Sequence, residues 1–181
     1  MRIDSDEVKK NFILDVILKW IVDIIIVVVI AIFVVNYYGE SVDVVGNSMN
    51  PVFKNEEKVL IDQLAYKINE PERFDIIAYK TKSGEISIKR IIGLPGETIQ
   101  IVDNTIYIDG EAIEDKYYKG KFESGYIDEA MVIGENEYFV MGDNRNVSED
   151  SRFEYVGNIG KENIIGKAWF VCYPINKLRM I

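Results

Sequence analysis

Ile99-Gln100-Ile101-Val102-Asp103-Asn104-Thr105-Ile106-Tyr107-Ile108-Asp109-Gly110 alternates apolar and polar side chains on both sides of Asp103-Asn104. A period of two belongs to a strand with one buried face, and a two-residue polar break that tolerates positive φ closes a hairpin. Ile99, Ile101, Ile106 and Ile108 are expected on shared faces. Outward from this hairpin the chain after Gly39 keeps the same character, with short stretches rich in Val, Ile, Tyr and Phe broken by Gly, Asn, Asp and Pro. Strands are expected at Val42–Val45, Lys58–Gln63, Asp75–Lys80, Ile86–Ile92, Thr98–Val102, Thr105–Asp109, Glu137–Met141 and Lys167–Tyr173, which predicts a mainly β, antiparallel domain. Residues 111–137 are polar with weak periodicity and read as an insertion at the rim of that domain.

The N-terminal segment follows different rules. From Ile24 to Val35 the chain reads IIIVVVIAIFVV, without one polar side-chain atom. Counted from Ile13, the apolar segment is 23 residues, roughly 34 Å as a helix, enough to cross a hydrocarbon layer of about 30 Å. Asp15, Lys19 and Asp23 fall on one helix face, where they can pair or reach toward headgroups. Asp23 is the one ionisable group expected at or inside the membrane boundary. A cleaved secretory signal is disfavoured because Asn36-Tyr37-Tyr38 offers no small-residue cut site, and a buried core helix because every face after Ile24 is apolar. Arg2, Lys9, Lys10 and Lys19 precede the uninterrupted apolar run Ile24–Val35, and no basic residue occurs between Lys19 and Lys54. The basic flank predicts residues 1–12 in the cytoplasm, residues 13–36 as a single membrane anchor and residues 37–181 as an extracytoplasmic β domain.

Composition removes several kinds of chemistry. The 181 residues include no His and one Cys, so a Ser-His-Asp triad, a Cys-His protease and a His-ligated zinc site are all excluded. Cys172 lies in Ala168-Trp169-Phe170-Val171-Cys172-Tyr173 and reads as a small packed hydrophobe on a strand. The net charge of −9, most of it after Val35 (17 Lys and Arg against 25 Asp and Glu), argues against a nucleic-acid partner. No metal or cofactor is expected.

Three segments carry candidate chemistry. Gly46-Asn47-Ser48-Met49-Asn50-Pro51 presents a serine after a strand, with its own N–H free to face a substrate carbonyl; taken alone, such a serine is ordinary turn chemistry. In Ile86-Ser87-Ile88-Lys89-Arg90-Ile91-Ile92-Gly93-Leu94-Pro95-Gly96-Glu97, alternation puts Lys89 on one face with Ser87 and Ile91. An ammonium among isoleucines loses hydration, and the resulting neutral amine can accept a proton from a hydroxyl. On the residues alone, an edge-strand lysine in water is the commoner reading. Gly142-Asp143-Asn144-Arg145-Asn146-Val147-Ser148-Glu149-Asp150-Ser151-Arg152 is dense in short polar and charged side chains, as in a loop held by internal hydrogen bonds and ion pairs. A calcium loop fails there, because Arg145 and Ser148 occupy its third and sixth positions. With histidine absent, a Ser–Lys pair is the natural way left to activate a serine.

The ordered set GNSMNP, KRIIGLPGE and GDNRNVSEDSR behind one N-terminal span resembles the bacterial type I signal peptidases, in the branch typical of Gram-positive bacteria. The resemblance implies a membrane-bound serine endopeptidase that removes signal peptides from exported preproteins after small residues, in an A-x-A pattern. It implies Ser48 as nucleophile and Lys89 as general base. Ser148 then orients the Lys89 amine, Asp150 and Arg152 form a supporting ion pair, and Val44, Met49, Phe53, Ser87 and Ile88 line the substrate pockets. Gly46 stands where many relatives carry a serine that serves as second oxyanion donor, so that donor is unassigned. The implied partners are signal-peptide-bearing preproteins, the lipid bilayer and a neighbouring secretion translocon. Two rivals remain: a self-cleaving Ser–Lys repressor protease, for which no basic DNA-binding segment is present, and a catalytically silent tethered β domain that binds export partners.

Overall fold

The computed structural model describes residues 5–38 and 40–181, with side chains for 16–33 and 40–181. The first 39 residues and the remainder form two separate units. In the first, the helix α1 runs Ser5–Tyr38, 34 residues and longer than the apolar run alone required. Every described side chain from Val16 to Phe33 is exposed, and that stretch is long and apolar enough to cross a membrane. A run of Ile and Val exposed around its whole circumference suits lipid, where no polar face is needed.

The second unit is built from β1 Ser41–Asp43, β2 Lys58–Asp62, the short helix α2 Ala65–Ile68, β3 Ile76–Lys80, β4 Ile86–Gly93, β5 Thr98–Val102 and β6 Thr105–Ile108. It continues with β7 Glu111–Ile113, β8 Met131–Val132, β9 Glu137–Met141, β10 Ile159–Gly160, β11 Ile164–Tyr173 and β12 Arg179–Met180. One sheet has the order β1-β2-β11-β3-β4-β9-β10, with β12 on β11; a smaller sheet has the order β7-β6-β5-β8. All the pairings are antiparallel, so the domain is mainly β as its alternation required.

In the hairpin that opened the reading, Ile99 faces Ile108 and Ile101 faces Ile106. Asp103 and Asn104 both take positive φ, 48° and 64°, the backbone a two-residue hairpin turn needs. All four isoleucines are buried in one cluster with Ile92 and Phe139, each contributing roughly 1.5 to 3 kcal/mol by leaving water. The next turn, Asp109-Gly110, also has positive φ at both positions, 52° and 82°, and returns the chain as β7. That strand was not foreseen, although Asp-Gly is a strong hairpin signal. β8, β10 and β12 have two residues each, too few for alternation to register. β1 begins and ends earlier than expected, leaving Val44 and Val45 outside it; Val44 still exchanges backbone hydrogen bonds with Glu56 and Glu57.

The rim segment differs from its sequence reading. Ile127 and Ile133 are buried in the isoleucine cluster, Asp115 and Tyr118 contact the motif that begins at Gly142, and Tyr117 packs on Arg90 of β4. Its polar character reflects ion pairs made inward as well as solvation.

At the far edge, the Arg179 guanidinium reaches back to buried Glu57 at 2.7 Å and donates to the Val52 carbonyl at 2.6 Å. The Arg179 hydrogen bond outweighs burial and holds Glu57 below its ordinary carboxylate value. Arg179→Ala strands that carboxylate, and thermal unfolding should show a loss of about 2 to 3 kcal/mol, roughly 5 to 10 °C in Tm. Because a depressed carboxylate pKa stabilises only above that pKa, the difference should shrink as the solution is acidified through and below 4.5, the group's ordinary value.

Candidate active site

β4 sets the geometry. Its alternation sends Ile88 into a core cluster with Val42, Ile76 and Val171, and turns Lys89 to the opposite face, where its strand partner is Ile77 and Ile91 follows on the same side. Lys89 is 5% exposed. Its Nζ lies 3.0 Å from the Ser48 Oγ. Burial pushes the Lys89 pKa below the ordinary lysine value; the carboxylates of Asp150 and Glu149 oppose that shift, and Arg152 adds to it.

Ser48 is half-buried in a turn whose shape is held from three directions. Gly46 sits at φ +81° with open space where a Cβ would point, so backbone conformation and not crowding favours glycine there. The Gly46 N–H donates to the Asn55 Oδ1 at 2.8 Å, and the Phe53 N–H donates to the Met49 carbonyl at 2.9 Å. From across the chain, the Asn144 N–H donates to the Ser48 carbonyl at 2.9 Å and its Nδ2 to the Asn47 carbonyl at 3.1 Å. Among the described residues no hydrogen bond occupies the Ser48 N–H.

The loop 142–152 is laced internally. Arg152 grips Asp150 through Nε at 2.8 Å and a second nitrogen at 2.9 Å, and the same carboxylate accepts the Gly142 N–H at 2.9 Å. Arg152 also donates to the carbonyls of Arg145 and Glu123. Asp150 and Arg152 thus form a buried ion pair within the loop. Ser148 is 3% exposed, and among the described residues its hydroxyl has no hydrogen-bond partner, Lys89 included.

Two further residues stand out that the sequence reading had not singled out. Arg90, next to Lys89, forms a bidentate pair with buried Asp143, both contacts 2.7 Å, and so ties β4 to the loop that holds Ser48 through Asn144. Adjacency to Lys89 and the motif's Asp-Asn-Arg were visible in the chain; a pairing 53 residues apart was not.

Ser48 and Lys89 open on a cleft of about 640 Å³ that continues past Tyr79, Ser87 and Glu149 toward Lys82 and Tyr155. Ser87 borders it opposite its strand partner, the buried Tyr79. Val44, Met49, Phe53 and Ile88 lie in the core cluster under the turn, none more than 7% exposed.

Comparison with known proteins defines the class as a peptidase. Residues 17–173 match the model of the family described as signal peptidase, peptidase S26. Signal peptidase I T of Bacillus subtilis is 34% identical over 171 residues, 90% of this chain and 88% of that protein. Signal peptidase I of Bacillus licheniformis is 33% identical over 94% of both, and signal peptidase IB of Staphylococcus aureus is 30% identical over 90% of this chain and 93% of that protein. A crystal structure of a signal peptidase I from Enterococcus faecalis aligns at 35% identity and a TM-score of 0.47, covering 55% of this chain and 97% of that one. The chain belongs to the signal peptidase family, peptidase S26.

Proposed function

We propose that the chain is a serine endopeptidase, anchored by its N-terminal helix, that removes signal peptides from exported preproteins after small residues, with Ser48 as nucleophile and Lys89 as general base. The observation that carries this reading is the 3.0 Å approach of the Lys89 Nζ to the Ser48 Oγ, made by an amine that is nearly all buried. A neutral amine at that distance can take the hydroxyl proton as Oγ attacks the peptide carbonyl. The carbonyl oxygen becomes an oxyanion facing the Ser48 N–H. The C–N bond then breaks, the Lys89 ammonium protonates the leaving amine, and the acyl group remains on Oγ. Water, giving its proton to Lys89, attacks the ester and releases the acid; Oγ recovers its proton.

Specificity for small side chains is supported by the packing beneath the turn. In this reading Val44, Met49, Phe53 and Ile88, buried together in one core cluster, leave little room for a substrate side chain that enters near them. Ser87 and the Lys89 backbone offer an extended peptide a strand to join. Asp150 and Arg152 hold the loop around Gly142, and Ser148, buried beside it with an unpaired hydroxyl, is the candidate to orient the Lys89 amine when it carries a proton.

In this reading residues 1–12 are cytoplasmic, residues 13–36 span the bilayer, and residues 37–181 work outside, near the translocon from which preproteins emerge. The test is cleavage of a precursor bearing an A-x-A site by the full chain in detergent. Wild type should release the mature protein, and Ser48→Ala, folded to the same Tm, should release none; equal inactivity of the two would favour a tethered binding domain. Added protease should degrade the β domain in intact protoplasts expressing the chain, and complete protection would overturn the topology.

A further inference from the structure

The segment between β7 and β8 touches the turn 143–146 at Arg145 and Asn146, and reaches it a third time through Arg90. Tyr117 lays its ring on the Arg90 guanidinium, 3.5 Å from carbon to ring centre, and Arg90 in turn grips Asp143. Asp115 pairs with Arg145 at 2.7 Å. The Tyr118 hydroxyl accepts a hydrogen bond from the Asn146 Nδ2 at 2.9 Å. Between these clamped positions lies Asn144, whose N–H and side chain hold the carbonyls of Ser48 and Asn47.

We propose that this strap is a positioning clamp for the nucleophile turn, and that Tyr117 is its principal positioning residue, acting through Arg90 and Asp143 on Asn144. The proposal rests on the reading of Ser48 as nucleophile. Arg90 already has its charge matched by Asp143 and donates to the Phe74 carbonyl at 2.8 Å. What remains is to fix the plane of the guanidinium, since tilting it lengthens at least one of two parallel bonds to the carboxylate. A ring stacked on the guanidinium supplies that constraint. Phe74, whose ring centre is 5.5 Å from that of Tyr117, backs the stack. Any slip in Asp143 passes to its neighbour Asn144, and the Ser48 carbonyl and Oγ move together because they belong to one residue. A displacement well under an ångström at Oγ lowers the fraction of molecules poised to attack without altering the cleft walls that bind the peptide.

The test uses the full chain in detergent with an A-x-A precursor. Tyr117→Ala should lower kcat roughly 10-fold with KM unchanged within about two-fold, and Tyr117→Phe, which keeps the ring, should restore kcat. In an Asp143→Asn background, where the bidentate pair is already broken, Tyr117→Ala should cost less than about two-fold, because both changes act along one route. If Tyr117→Ala does not fold, Tyr117→Leu, which fills the space without a ring, takes its place in the same comparison. An unaltered kcat, a Phe variant as slow as the Ala variant, or losses that multiply in the double variant would each overturn the clamp. Ser48→Ala in parallel separates the two readings: if it remains active, the nucleophile assignment falls and the clamp with it, whereas an inactive Ser48→Ala beside a fully active Tyr117→Ala removes the clamp alone.

Discussion

Lys89→Met should be inactive at every pH, with turnover reduced about 10³-fold or more. The wild-type protein should gain activity as pH rises through the Lys89 pKa. The sign follows from the proposed roles: in that mechanism the amine accepts the Ser48 proton only when neutral, and burial lowers its pKa from 10.5, bringing the neutral form toward physiological pH. Lys89→Arg should not rescue, because a guanidinium stays protonated. A pH–rate profile in which Lys89→Met keeps the wild-type alkaline rise would sink the assignment. Stability should rise with pH as well. Between the lowered folded pKa and 10.5 the unfolded chain binds more protons than the folded one, so the wild-type protein is destabilised by its lysine at neutral pH and gains stability as pH rises. Lys89→Met should therefore have a higher Tm than wild type at neutral pH, with the gap closing in alkali. A variant that is both more stable and inactive identifies a group kept at the expense of the fold.

Gly142→Ala should be nearly as damaging, although it removes no functional group. A Cβ at Gly142 would sit 2.2 Å from the Ser148 Oγ and 2.5 Å from the Ser48 carbonyl oxygen. Rotation can move the Ser148 Oγ but not its Cβ, which would also lie at 2.5 Å, and the Ser48 carbonyl is backbone, already fixed by the Asn144 N–H at 2.9 Å. Relief has to come from separating the two loops, which moves Ser48 away from Lys89. kcat should fall about 10²-fold or more, while far-ultraviolet circular dichroism stays that of the wild type and Tm drops by a few degrees at most. Activity within two-fold of wild type would mean that the Gly142 and Ser48 backbones are not in contact during turnover.

Much of the architecture was legible because it depends on local periodicity. The isoleucines of 99–108 could satisfy a period of two only by pairing, and Asp103-Asn104 could close that pair because both residues tolerate positive φ. The run Ile24–Val35 excludes a water-facing surface by composition. What escaped was short or distant. β8, β10 and β12 are too brief for a pattern, and residues 111–137 looked like solvated rim because a sequence does not distinguish a charge facing water from one facing an arginine.

The chain by itself determined the kind of chemistry available. Without histidine, and with one cysteine on an apolar strand, a Ser-His-Asp triad, a Cys-His pair and a His-ligated zinc are unavailable, and a lysine amine is the natural base left to activate a serine. It also determined that Lys89 lies on the opposite face of β4 from Ile88, because successive residues of a strand alternate. Only the tertiary structure decided that Lys89 is buried rather than dissolved in water, and that Ser48, 41 residues away in sequence, stands at its nitrogen. That outcome depends on Asn144, Asp143 and Arg90 bringing two loops together, and contacts between residues distant in the chain leave no period to read.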